Sequence, residues 1–243
     1  MKKLLFAFAA SLSVILVFST AFAASNKIAM QVSNEALITQ QTNTVLAWTP
    51  ILSTTLHMPS NQSLLITPSL ETALYTNTQV ASNGNKSTAS ASAQIRVKCV
   101  ITDPNGNQLD ALPTELSNGV DNGVAYDCRL QTLSATLQGI ITGATANLTT
   151  GQVTFTTIPS IIDLILQTQS AHSFNFLFPN VSAGDYTVTV YAMIDTLNGT
   201  SPATSGDLST LTTTAAQAWA AIGVGSLSVE DVGIVNDGTA ISM

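Results

Sequence analysis

The stretch HSFNFLFPNVSAGDYTVTVYAMI, residues 172–194, decides the fold class. His172, Phe174, Phe176 and Phe178 alternate with Ser173, Asn175 and Leu177. Pro179, Asn180, Gly184 and Asp185 supply turn chemistry. Tyr186, Val188, Val190, Ala192 and Ile194 then resume the spacing of two. Successive strand side chains point to opposite faces, so each run gathers its large apolar groups on one side. The spacing predicts two β-strands joined by a tight turn, at the centre of a sandwich core.

Working outward, Ile95, Val97, Cys99 and Ile101 share one face of a strand over residues 94–102, with Arg96 and Lys98 on the other. Val124, Tyr126, Cys128 and Leu130 repeat the pattern against Asp127 and Arg129. Residues 45–75 hold two or three further strands, and Gly225 to Val235 closes the chain. The run ASNGNKSTASAS, residues 81–92, has no large apolar side chain and predicts a loop. Ser160-Ile161-Ile162-Asp163 has the form of a capping box before Leu164, Ile165 and Leu166, which predicts a two-turn helix. Residues 215–222 are ambiguous between helix and strand. Many short strands separated by turns predict an all-β fold: one jelly-roll-like or immunoglobulin-like antiparallel β-sandwich, with one short helix.

The turn Ala183-Gly184-Asp185-Tyr186 before an alternating Thr/Val strand is similar to a late strand of immunoglobulin-like sandwiches, where a tyrosine bonds back across a corner. More broadly, SFNFLFPNVSAGDYTVTVYAMID and WAAIGVGSLSVEDVGIV resemble stretches of exported bacterial β-sandwich proteins. That resemblance implies a sandwich and no particular activity.

The N-terminus joins Lys2-Lys3 to an apolar run and then Ala21-Phe22-Ala23. This is the layout of a secretory signal peptide over residues 1–23. A leading segment or strand over 24–44 and a sandwich domain over 45–243 complete the expected organisation. After cleavage, five basic residues face fourteen acidic ones, a formal charge of −9. Such a balance excludes the phosphate neutralisation on which nucleic-acid binding rests. No later apolar run has the length of a membrane-spanning helix.

Cys99 and Cys128 are the two cysteines, and an even count in an exported chain predicts a disulfide. Asp103, Asn105, Asn107 and Asp110 offer oxygens at short spacing, which suggests calcium. Gly106 is misplaced for a helix–loop–helix calcium loop, however, and the bland reading of Asp-Pro-Asn-Gly is a β-turn. No cofactor is otherwise indicated. His57 and His172 are the histidine complement. Ser173 neighbours His172 but points to the other strand face, so the two do not form a nucleophile–base pair. Asp163, Asp185 and Asp195 would need a converging partner to act as a glycosidase pair. Among the aromatic residues, Tyr191 and Trp219, with Asn175, are candidates for a sugar-binding surface. The expected function is a non-enzymatic structural or interaction protein of the cell envelope or exterior. Its expected partners are other protein subunits or extracellular glycan, with self-assembly as a subsidiary reading. A carbohydrate-binding module is the alternative.

Overall fold

The computed structural model describes residues 27–41, 47–82, 84, 86–117, 120–158, 160–201 and 215–233. The expected signal peptide therefore lies outside the described residues. The strands are β1 (Ile28–Ser33), β2 (Ile38–Gln41), β3 (Thr49–Met58), β4 (Gln62–Ser82), β5 (Lys86–Thr102), β6 (Gln108–Asp110), β7 (Leu116–Ser117) and β8 (Val120–Asp121). They continue as β9 (Val124–Thr136), β10 (Ile140–Asn147), β11 (Gln152–Ile158), β12 (Ser160–Ser173), β13 (Phe176–Val181), β14 (Gly184–Ser201) and β15 (Ala215–Val232).

Two antiparallel sheets form the sandwich. The first runs β1-β15-β4-β12, with β13 beside β4 and β2 beside β15. The second runs β3-β14-β5-β6, with β9 beside β5. Phe176, Leu64, Ile66 and Leu227 from the first sheet are fully buried, as are Ile95, Val97, Ile101 and Val188 from the second. Each such side chain contributes roughly 1.5–3 kcal/mol on leaving water.

The inward faces expected of Ile95 to Ile101 and of Tyr186 to Ile194 are buried. The deciding stretch is nevertheless no hairpin. β13 pairs with β4 in the first sheet, and β14 pairs with β3 and β5 in the second. The turn carries the chain from one sheet to the other. Gly184 has φ +150, and a Cβ there would lie 2.5 Å from Pro104 Cγ, so the crossing needs a glycine. Tyr186 bonds back upstream as the immunoglobulin likeness implies, but to the Ser182 hydroxyl at 3.0 Å.

Two further expectations change, and one ambiguity is resolved. The predicted loop at 81–92 is largely strand: β4 runs to Ser82 and β5 starts at Lys86. Ala89, Ala91 and Ala93 are fully buried there, opposite Thr72, Thr76 and Thr78 on the inward face of β4. Small side chains do not raise hydropathy, but they fill a narrow sandwich as well as large ones fill a wide one. The predicted helix at 160–166 is part of β12, paired residue for residue with β4 from Ser160↔Ser82 onward. Long-range strand pairing here overrides a local capping pattern. Residues 215–222 are strand, in β15.

The disulfide is also corrected. Ile95 pairs with Asp127 and Arg96 with Ala125, so Tyr126 is the extra residue of a β-bulge. Beyond it the side-chain alternation reverses. Asp127, Arg129 and Gln131 turn inward, and Leu130 is 77% exposed. Cys128 sits exposed on the outer face while Cys99 is buried, and both are free thiols. Cys128 pairs with Gln94, five residues along β5 from Cys99. That separation is about 16 Å at the usual strand rise, beyond the reach of a disulfide.

Candidate functional site

The bulge at Tyr126 creates a polar wedge between β9 and β12. The Tyr126 hydroxyl accepts from Leu70 N at 3.1 Å, and the carbonyls of Pro68 and His172 share its one proton. Burial pushes its phenol up to about 12. Thr72 Oγ1 donates to Asp127 Oδ2 at 2.6 Å. Ser170 Oγ lies 2.8 Å from His172 Nε2, and Asp127 Oδ2 lies 3.4 Å from that same nitrogen. A serine, a histidine and an aspartate thus meet. Yet a catalytic relay needs the carboxylate on one ring nitrogen and the hydroxyl on the other. With both on Nε2, the cluster satisfies semi-buried polar groups and does not activate a nucleophile. Ser170 and His172 are two apart on a strand and so share a face. That spacing of two is the signal in the sequence, and the adjacent Ser173 does not carry it.

Deeper in the wedge, Gln131 Oε1 accepts from Thr76 at 2.7 Å. Its amide nitrogen donates to Thr78 Oγ1 and to the Leu164 carbonyl, each at 2.6 Å. Arg129 donates to Thr168 Oγ1 at 2.6 Å. These residues hold the edge strand β12 to the second sheet.

The predicted ligand-binding residues do not converge. Tyr191 lies on the outer face of the second sheet, paired in register with Lys98 and Pro50. Trp219 lies on the outer face of the first sheet, stacked on Tyr75 with centroids 5.4 Å apart and planes at 8°. Asn175 is exposed and accepts from Thr67 Oγ1 at 2.9 Å. Thr67 is eight residues from Tyr75 along β4, about 26 Å of strand. The aspartates are scattered too. Asp185 pairs with His57 at 2.7 Å, while Asp163 sits on the first sheet, paired in register with Gln79.

The candidate metal residues form a turn. Asp103 Oδ1 accepts the backbone N–H groups of Asn105 and Asn107, each at 2.8 Å, and Oδ2 accepts the Asn107 side chain at 2.8 Å. Hydrogen bonding by that Asn107 side chain, the largest influence, holds the carboxyl below its ordinary value. Asp110 turns instead to Lys98 at 3.6 Å. The carboxylate oxygens that would bind an ion are engaged by their own loop, and the fourth ligand points elsewhere. Among the described residues no group of three or more His, Cys, Asp or Glu side chains could hold a metal.

What stands out is apolar. Among the described residues, eleven of the eighteen exposed large hydrophobic side chains lie between Ile140 and Leu166. They occupy the β10–β11 hairpin and the first half of β12. The hairpin is a separate two-stranded sheet, joined to the body through residues 137–140 and 158–160. Val153 and Phe155 are both exposed on one of its faces. A two-stranded ribbon alone is at best marginally stable in water. Among the described residues no strand pairs with the outer side of β12, which leaves one row of its backbone N–H and C=O groups open there. Ile162, Leu164 and Leu166 share the face of the buried Val80, Thr78 and Thr76, yet each is about two-fifths exposed. Ile161 and Ile165, on the opposite face, are each 55% exposed.

No family model matches the chain, and no curated protein does. Among solved structures, it is similar to a CocE/NonD family hydrolase from Staphylococcus aureus at a TM-score of 0.24 and 11% identity, over 88% of this chain and 38% of that one. It is also similar to the infectious bursal disease virus Gx strain structure at a TM-score of 0.21 and 8% identity, over 85% and 40%. The chain spans about two-fifths of the length of these structures. Superpositions this loose say nothing of activity.

Proposed function

We propose that this chain is an exported, non-catalytic structural protein of the cell envelope or exterior, which assembles through the hairpin and edge strand of residues 140–166. The observation that carries the reading is the clustering of exposed apolar side chains on a strand edge that is unpaired among the described residues. Edges of soluble proteins are usually blunted by lysine, proline or short length. β12 has fourteen residues, no lysine and no proline, and Asp163 is its one formal charge apart from His172. An apolar patch of this kind marks an interaction surface. A strand from another subunit would satisfy the open backbone groups by sheet extension. The signal-like N-terminus, the sparse charge and the Thr/Ser-rich outer faces fit a durable protein outside the cytoplasm. Light scattering and negative-stain electron microscopy on the purified chain lacking residues 1–23 test this. Concentration-dependent oligomers or fibres are expected, and a monomer at every concentration rejects the proposal.

A further inference from the structure

The outer face of the first sheet carries a second surface, distinct in chemistry from the apolar edge. The registers of β15, β4 and β12 lay it out in rows. Ala215, Gln79 and Asp163 form one row; Gln217, Asn77 and Ile165 the next. Trp219, Tyr75 and Gln167 follow, then Ala221, Ala73 and Gln169. Four rows span about 20 Å along the strands. Ala221 and Ala73 adjoin the Trp219–Tyr75 stack on one side, and Gln217 and Asn77 adjoin it on the other.

Asn77, Gln79, Ala215 and Gln217 line a polar cavity of about 180 Å³ beside the stack. Asn77, one of these lining residues, has a buried Oδ1 without a hydrogen-bond partner among the described residues. A buried carbonyl oxygen without a donor costs about 1–3 kcal/mol, so a donor arriving in this cavity is favoured. Each ring covers one face of its neighbour and both residues are half-buried, so a C–H surface would pack against what the pair leaves exposed. Amides both donate and accept, as hydroxyl groups do.

We infer that this face binds a neutral, hydroxyl-rich chain, an extended polysaccharide, lying along the strands across Trp219 and Tyr75 with hydroxyl groups bonded to Asn77, Gln79, Gln167 and Gln217. No lysine or arginine occupies these rows, so no cation recruits an anionic ligand. Asp163 lies at one end, and Glu71, beyond the other end, already accepts from Gln169 at 2.5 Å. An extended peptide adding by strand pairing needs open backbone groups, which a sheet edge offers and this face does not. The ligand surface shares β12 with the assembly edge, at Asp163, Ile165 and Gln167, but binds through side chains on the face and not through open backbone groups, so sugar binding and assembly are read by different measurements.

The test uses Trp48→Phe, which leaves Trp219 as the sole tryptophan. Chitohexaose, cellohexaose and maltohexaose are titrated against it, with tryptophan emission and calorimetric heat as readouts. At least one hexasaccharide is expected to shift the emission and release heat. In the unaltered chain, Trp219→Ala and Asn77→Ala are each expected to raise Kd by about tenfold or more. Tyr191→Ala, on the other sheet, is expected to leave it unchanged. Circular dichroism checks folding, and Gln217→Ala replaces any variant that fails it. Silence with all three sugars overturns the inference, as does binding that survives both Asn77→Ala and Gln217→Ala.

Discussion

Gln131, on the second sheet, donates its side-chain amide to the carbonyl oxygen of Leu164 on the edge strand of the first sheet, 2.6 Å away. The same side chain bonds Thr76 and Thr78, so one residue ties β9 to both β4 and β12. Replacing it by alanine leaves these buried groups without partners. Gln131→Ala should destabilise the fold by about 1–3 kcal/mol, read as a lower urea midpoint. Gln131→Glu, which loses the two amide donations, should also destabilise. An unchanged midpoint in both would show that the wedge is not what holds β12.

The edge itself can be blunted. Ile165→Lys places a positive charge on the edge strand between the apolar Leu164 and Leu166. Assembly should fall sharply in light scattering while the circular dichroism spectrum of the monomer is retained. A lysine at Thr189, on the outer face of the second sheet, should leave assembly intact. Equal loss in both variants would point to a general effect of charge.

The two thiols should behave oppositely. Cys128 is exposed, whereas burial pushes the Cys99 thiol above its ordinary range. Under native conditions a maleimide should label one site, identified by peptide mass spectrometry as Cys128. Cys99 should react after denaturation. A disulfide in non-reducing digests, or equal labelling of both, would contradict the bulge at Tyr126.

Alkaline stability should depend on Tyr126. Its folded value is raised to about 12, so the folded state holds the proton where the unfolded chain, near 10, has lost it. The stabilisation is therefore complete below the unfolded value and disappears as pH rises through the folded one. Unfolding midpoints should drop between about pH 10 and pH 12. Tyr126→Phe should be less stable at neutral pH and should lose part of that alkaline slope. Parallel slopes in the two proteins would assign the alkaline transition to other groups.

The period-two runs around Ile95, Val97, Ile101, Tyr186, Val188 and Val190 were legible because burial of one strand face imposes alternation directly on the residues. From that local rule the sequence determined the all-β class, the inward faces of β5 and β14, and the turn at Asp103. It did not reveal that β13 and β14 belong to different sheets, since a crossing and a hairpin use the same turn residues. Nor did it reveal the extra residue at Tyr126. A bulge is defined by its partner strand, and its single insertion turned Cys128 outward and Gln131 inward. The exposure of Ile161 to Leu166 was hidden for a related reason. An apolar run in sequence signals burial, and only the tertiary structure shows that, among the described residues, no further strand pairs beyond this one. The Trp219–Tyr75 stack likewise joins residues 144 positions apart. Alternation is written within a strand, whereas register, sheet membership and the partners across an edge are set by contacts between segments distant in the chain.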